Sequence, residues 1–355
     1  MDGIKSGDFC HENLAKNAPR KLSFYKAEDL SVWKTQVREK FIELFGFEKI
    51  KANACEENFT IIKEEKRDGY YFYEFRFDSE VGATVPCYLL IPDTGKDKYP
   101  LAITMQGHSS GVHNSIGEIR YDWDINYQPR GSFALQAVKN GFASLCVEQR
   151  AMGVLRSPRS YGKDIKWGQR VHMCAFQSLT AFALGRTVLG ERIWDVKKAL
   201  DVVTQNLSEK IDLDKILITG NSGGGTISYY AACFDERIKY TIPSCSFCSF
   251  KSSILDIEHC ACNYVPDIAT WFEMEDFSSL IAPRYMTVVA GELDDIFPID
   301  GVKESFDTAK KIFEKFGAGG NINMVTTPKN HWWCEDIVWK AIKETTVKLG
   351  WHDEK

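Results

Sequence analysis

No apolar run in the 355-residue sequence reaches the ~18 residues that a membrane-crossing helix needs. No basic tract exceeds two consecutive residues and the formal net charge is −5, which argues against a nucleic-acid partner. The opening stretch MDGIKSGDFCHENLAKNAPRK has neither an apolar core nor a small-residue cleavage site, so it does not read as a secretory signal. Internal repeats and low-complexity linkers are also missing. Cysteine is not scarce, but its count of 11 is odd. In a large chain without an export signal, these residues are expected to be reduced thiols of a cytoplasmic protein. With 44% hydrophobic residues the chain can build one large α/β domain, with or without an extension.

One cysteine group calls for a metal reading to be weighed. The segment CSFCSFKSSILDIEHCAC holds Cys245, Cys248, His259, Cys260 and Cys262. A C-x-x-C followed by His and Cys is zinc-like. The segment lacks a second C-x-x-C and a glycine knuckle, and free cysteine is a common core residue. Structural thiols, no metal and no cofactor are the expectation.

The hydrophobic period changes along the chain. Leu14 to Ile50 reads as helical, with Leu30, Trp33, Val37, Phe41 and Leu44 at three- and four-residue spacing and Gly46 as a stop. From Phe59 the period becomes two. FTIIKEEK, YYFYEFRF and ATVPCYLLIP read as strands, with Asp68-Gly69 as a hairpin turn. Strands then alternate with helices. The strands are PLAITMQ, FASLCVEQR, KILITG, IKYTIPSC, RYMTVVAG and INMVTTP. Helices are expected over GSFALQAVKNG, about 171–206, 222–234, 298–316 and 331–349. This is the pattern of a mostly parallel sheet covered on both faces, with an antiparallel N-terminal edge. The expected organisation is an N-terminal helical extension over 1–57 and an α/β domain over 58–355, with insertions near 107–131, 153–170 and 245–280.

Between the strand KILITG and the helix after it stands Gly220-Asn221-Ser222-Gly223-Gly224, a G-x-S-x-G. A serine on a sharp strand-to-helix turn needs small neighbours, and the following helix aims its unpaired N–H groups at the turn. The alternatives are a simple turn or a phosphate loop, but a Walker loop needs a Gly-Lys-Ser/Thr that is missing. Ser222 as nucleophile requires a base and an acid later in the chain. His331, after the last expected strand in TTPKNHWWCED, is favoured by position over His259. The acid should come from GELDDIFP, which offers Glu292, Asp294 and Asp295; spacing does not choose between the aspartates, and Asp295 could instead cap the next helix. Backbone N–H groups of His108, in the loop GHSSGVHNS, and of Gly223 are the expected oxyanion donors. The side chains of His108 and His113 could alternatively bind metal or substrate.

These motifs resemble the α/β-hydrolase superfamily from about Phe59 onward, and more narrowly its acetyl xylan esterase and dienelactone-hydrolase-like serine esterases. The resemblance rests on MQGHSSG, VEQRAMG in the place of D-x-R-G-x-G, GRTVLGERIWDVKKALDVV, GNSGGG, APRYMTVVAGELDDIFP and KNHWW. It implies an α/β-hydrolase fold, acyl-enzyme chemistry without a cofactor, and Asp294 rather than Asp295 as the acid. The chain departs from the pattern at Glu148, where Asp is usual, and at Ala151, where Gly is usual. A serine in place of cysteine argues against dienelactone hydrolase activity.

The expected function is a serine carboxylesterase for short-acyl, chiefly acetyl, esters, sugar esters among them. Its small-molecule substrate would meet Trp332, Trp123 and Trp167, with Tyr127, Tyr161, Phe133 and Trp333 as further aromatic candidates; ordinary core and lid packing is the alternative for each. The competing readings are a prolyl-oligopeptidase-like peptidase, for whose propeller the chain has no room, and a catalytically silent binding protein. No nucleic acid and no membrane is expected as partner, and homo-oligomerisation stays open.

Overall fold

The computed structural model describes residues 6–156 and 174–351. The first three strands are β1 (Thr60–Arg67), β2 (Tyr70–Glu80) and β3 (Ala83–Pro92), paired antiparallel. The turn between β1 and β2 places Gly69 at φ 81°, where a side chain would be strained. β4 (Tyr99–Met105), β5 (Ala143–Val147), β6 (Ile211–Asn221), β7 (Tyr240–Ser244), β8 (Tyr285–Gly291) and β9 (Ile322–Thr327) follow. Among the described residues they make one nine-stranded sheet, ordered β1-β2-β3-β5-β4-β6-β7-β8-β9. β5 pairs antiparallel with β3, and every later pairing is parallel. The chain therefore has the α/β-hydrolase fold.

Local composition explains the middle of this sheet and its first edge. All seven residues of β4 are buried, as an apolar strand covered on both faces must be. β1 is largely exposed and carries Lys63, Glu64, Glu65, Lys66 and Arg67, charges that guard an open edge against pairing.

Among the described residues three α-helices precede the sheet: α1 (Gly7–Lys16), α2 (Leu30–Phe45) and α3 (Phe47–Ala52). The expected helix from Leu14 is broken after Lys16, across a stretch containing Pro19, and restarts where Asp29 accepts the Ser31 and Val32 N–H groups. Trp33, Val37, Phe41 and Phe45 form the buried stripe of α2 and belong to the same core as the sheet. Burying each such side chain contributes about 1.5–3 kcal/mol. Gly46 ends the helix at φ 78°.

The later helices are α4 (Phe133–Lys139), α5 (Ala175–Ala183), α6 (Val188–Asn206) and α7 (Gly223–Phe234), then α8 (Ile268–Trp271), α9 (Ile299–Lys315) and α10 (Glu335–Lys348); α4, α6, α7, α9 and α10 pack on the sheet. A Cβ at Gly190 would come within 2.3 Å of the Phe45 carbonyl, and Thr187 donates to that carbonyl at 3.0 Å while capping α6. The N-terminal helices are thus locked directly onto α6. The last helix starts at Glu335, not at His331: Trp332 N–H turns back to the Asn330 carbonyl at 2.7 Å, which leaves His331 in a bend.

Candidate active site

The loops after β4, β6, β8 and β9 emerge at one edge of the sheet, the carboxyl end, where open α/β sheets collect ligands. β6 delivers Ser222 there in a backbone conformation of φ 59°, ψ −128°. A non-glycine residue so placed stores roughly 1–3 kcal/mol and is held by its surroundings. Ser222 N–H donates to the Ser244 carbonyl at 2.9 Å, and its own carbonyl accepts the Thr226 N–H at 2.9 Å. The glycines are required by close approach. A Cβ on Gly220 would lie 2.4 Å, and one on Gly224 2.1 Å, from the Met105 carbonyl at the end of β4. The turn and the start of α7 are therefore packed against bare backbone.

His331 Nδ1 lies 2.9 Å from Asp294 Oδ2. The other Asp294 oxygen accepts the N–H groups of Ile296 and Phe297 at 2.9 and 3.1 Å. Burial alone would raise the Asp294 carboxyl; the His331 hydrogen bond and these two N–H groups outweigh it and hold the group below its ordinary range. Asp295 is exposed and caps no helix, so the choice that spacing left open is resolved geometrically for the partner of His331. Phe297 stacks on the His331 ring at 5.8 Å. With Nδ1 committed to Asp294, Nε2 is the nitrogen left for the cavity.

That cavity, of about 640 Å³, is lined by Ser222, His331, His108 and Gly223 together. Among the described residues the N–H groups of His108 and Gly223 have no acceptor. A Cβ on Gly107 would meet the Asn221 carbonyl at 2.7 Å, so this loop too lies against the serine turn. Tyr127 fixes it from outside, its hydroxyl donating to the His108 carbonyl at 2.8 Å.

A second histidine–aspartate pair stiffens the insertion 107–131. His113 Nε2 lies 2.8 Å from Asp124 Oδ2, Ser110 donates to Asp124 Oδ1, and the N–H groups of Arg120 and Tyr121 reach Asp124 at 2.8 and 2.9 Å. All three side chains are buried. Burial depresses the His113 imidazole, and the hydrogen bonds to Asp124 hold its carboxyl low against the opposing effect of burial. His113 thus serves the loop and not the cavity.

The aromatic candidates separate. Trp123, 37% exposed, and Tyr127 line the cavity, as does the buried Phe133. Trp332 is 39% exposed and does not itself line it. Its ring carries the Arg130 guanidinium at 3.8 Å, and Arg130 does line the cavity. Trp333 is core: it packs on Phe133 at 4.7 Å and donates to Gln136 at 3.0 Å. Trp167 and Tyr161, with all of the expected insertion 153–170 from residue 157 on, lie outside the described residues. Arg130 was not singled out from sequence, where nothing marks one arginine in the chain as lacking a carboxylate; among the described residues it has none.

The cysteine-rich segment does not fold onto one point. Cys245 sits beside Asp294 and His331, its thiol pushed up to about 12 by burial and by the Asp294 charge. Cys248 contacts the Pro298 carbonyl, and His259 contacts Ser253 Oγ at 3.1 Å. Cys260 and Cys262 turn the other way, toward His108 and Cys174.

The departures at VEQRAMG have structural counterparts. Glu148 is buried beneath Gly153, where a Cβ would strike its carboxylate, and burial pushes it up to about 7. Ala151 adopts φ 65°, the left-handed region that favours the glycine usual at this position. Arg150 holds Asp195 of α6 with two hydrogen bonds, 2.7 and 2.8 Å.

Serine, imidazole, carboxylate and two free N–H groups around one cavity is the equipment of acyl transfer. The chain belongs to the Abhydrolase family, whose model matches residues 9–227. The match takes in the N-terminal helices and the serine turn; Asp294 and His331 lie beyond it. The chain is similar to a Bacillus subtilis (strain 168) protein, YtaP, designated a hydrolase, with 25% identity over 262 residues, 73% of this chain and 81% of that one. Among solved structures it is similar to a Bacteroides fragilis NCTC 9343 protein designated an acetyl xylan esterase (TM-score 0.77, 16% identity, 97% and 95% of the two chains). It is also similar to a glucuronoyl esterase from Solibacter usitatus (TM-score 0.62, 13% identity, 94% and 97% covered). At these identities the structures speak to the fold.

Proposed function

We propose that this protein is a serine carboxylesterase that removes short acyl groups, acetyl foremost, from sugar esters. The observation that carries the reading is that the strained Ser222 and His331, whose Nδ1 is held by the buried Asp294, line one cavity with His108 and Gly223 and their free N–H groups. In the reaction, Ser222 Oγ attacks the ester carbonyl and its proton passes to His331 Nε2. Asp294 keeps the imidazole oriented and stabilises the imidazolium without taking the proton. The oxyanion is held by the two N–H groups and by the positive end of α7; such donors are typically worth about 3 kcal/mol each. The alcohol departs with the proton from His331. Water, deprotonated by the same imidazole, then releases the acid and restores Ser222. The relatives designated hydrolase, acetyl xylan esterase and glucuronoyl esterase agree with ester chemistry, and favour neither a peptidase nor a silent binding protein.

The aromatic wall of Trp123, Tyr127 and Phe133 supports a small acyl pocket beside a sugar platform. A series of 4-nitrophenyl esters from acetate to decanoate tests it. The expected kcat/KM is highest for acetate or propionate and falls steeply beyond butyrate; a maximum at octanoate or longer would replace this reading with a lipase-like one. Arg130 favours a second substrate class, esters on sugars that carry a free carboxylate, since a half-buried guanidinium at the cavity wall invites an anion. Arg130→Gln should then raise KM for an acidic sugar ester and leave KM for a neutral one unchanged.

A further inference from the structure

The serine site does not account for a second cluster on the same cavity. His108 Nε2, Cys174 Sγ, Cys260 Sγ and Cys262 Sγ all lie within 4.8 Å of one another. They come from three separate places: the loop after β4, the turn before α5, and a 3-10 turn in the cysteine-rich insertion. His108 Nε2 is 3.2 Å from Cys262 Sγ, and the Cys260 and Cys262 sulfurs are 3.4 Å apart. A zinc ion with Zn–S near 2.3 Å and Zn–N near 2.0 Å draws its four ligands to edges of about 3.5–3.8 Å. The cluster needs a rearrangement of about 1 Å or less to reach that tetrahedron.

The charge around the cluster points to a ligand. Arg192 of α6 is only 2% exposed and has no carboxylate partner among the described residues. Its guanidinium donates to the Arg150 carbonyl at 2.7 and 2.9 Å and reaches Cys174 Sγ at 3.3 Å. Three neutral thiols would leave this buried cation without a counter-charge, an expensive arrangement. A disulfide within the trio would consume two of the sulfurs and leave the same deficit. Three thiolates and a neutral imidazole around Zn²⁺ carry one net negative charge, which Arg192 balances while donating to a ligand sulfur.

We propose that His108, Cys174, Cys260 and Cys262 bind one zinc ion. Four protein ligands complete its coordination, so the ion has no open position and acts as a structural clamp, not as a Lewis acid on substrate. What it clamps is the loop that presents the His108 N–H, tied to the chain ahead of α5 and to the insertion roofing the cavity. His108, Cys174 and Cys260 line that cavity, which gives the ion an entry path. The metal content stands apart from the esterase reading; only the clamp's effect on hydrolysis rests on it.

The test uses the full-length protein produced with zinc supplementation and purified under reducing conditions without chelator. Elemental analysis should find about one zinc per chain, and cobalt(II) in the stripped protein should give the intense charge-transfer absorption of thiolate ligation. Cys174→Ser and Cys262→Ser should lose the ion; Cys248→Ser, outside the cluster, should keep it. Folded wild-type protein with less than about a tenth of a zinc per chain and no cobalt signature overturns the site, without recourse to a variant. So does a disulfide within the trio found by alkylation and mass analysis, and so does loss of metal from Cys248→Ser. Stripping should lower hydrolysis of 4-nitrophenyl acetate by about 10–100-fold, reversibly on adding zinc. A bound zinc whose removal leaves that rate unchanged overturns the clamp; zinc present in a protein with no esterase activity at all refutes the esterase reading and leaves the site standing.

Discussion

Two histidine–aspartate pairs of nearly equal length, 2.8 and 2.9 Å, sit in this molecule and face opposite fates. His113 spends Nε2 on Asp124, beside Ser110, and the whole group is sealed in the insertion 107–131. His331 spends Nδ1 on Asp294, keeps Nε2 for the cavity, and shares that cavity with a serine on a strained turn. A serine, a histidine and an aspartate in contact are therefore not a site by themselves. Which ring nitrogen is committed, and whether the other meets open space, separates a reaction centre from a rivet.

The serines break this comparison most sharply. Ser222→Ala should lower ester hydrolysis by about five to six orders of magnitude with the fold intact, because triad members act as a unit. Ser110→Ala should leave kcat within a few-fold; if it abolished turnover, the two pairs would have to exchange roles. The aspartates come next. Asp294→Asn should cost about 10⁴ in kcat by favouring the wrong tautomer, and the exposed Asp295→Asn almost nothing. Asp124→Asn should act instead on stability, by roughly 1–3 kcal/mol, because it disturbs four hydrogen bonds to a buried carboxylate. Thermal unfolding beside kcat per folded molecule distinguishes the outcomes.

A pH scan sharpens the comparison from the stability side. Both groups of the buried pair have folded-state affinities for protons below their unfolded ones. Their contribution is present above the unfolded values, about 6.5 for histidine and 3.9 for aspartate, and is lost as pH falls through and below them. The melting temperature should fall from pH 7 toward pH 4.5, and less so in His113→Gln; an unchanged slope in that variant would remove His113 from the account. The smallest effect belongs to the residue that the buried network holds at the cavity. Trp123→Ala should raise KM for an acetylated sugar by about 2–10-fold and leave 4-nitrophenyl acetate turnover unaltered.

Much of this was legible in the sequence, for reasons that differ by region. Among the described residues every strand but β1 corresponds to an apolar or alternating segment bounded by turn residues, a local signal; β1, with five consecutive charges, was legible only by its pairing partner across the Asp68-Gly69 turn. The serine turn was legible because its glycines answer a steric demand made by one neighbouring strand, the carbonyl of Met105. His331 was found by order along the chain, but its place before α10 was not, because the Trp332 turn and the burial of Trp333 pull that loop off the helix. The cysteine cluster misled for the converse reason. Neighbours in sequence, Cys245 and Cys248, diverge, while Cys174 and His108 arrive from distant loops with no local mark. Spacing reads ligands contributed by one hairpin or helix; it is blind to a site assembled from three loops.

The N-terminal stripe of α2 has a consequence for how the chain is made. Phe41 packs against Phe277 at 5.6 Å and Phe45 against Tyr230 at 5.1 Å, partners that leave the ribosome long after they do. At ordinary synthesis rates the delay is on the order of 10–50 s. Throughout it an amphipathic helix bearing Trp33, Val37, Phe41 and Phe45 has only near neighbours such as Phe24 and Phe47 against which to bury them. The nascent chain therefore offers a chaperone a ready handle, and slowing elongation downstream of α7 should lengthen its exposure and increase aggregation.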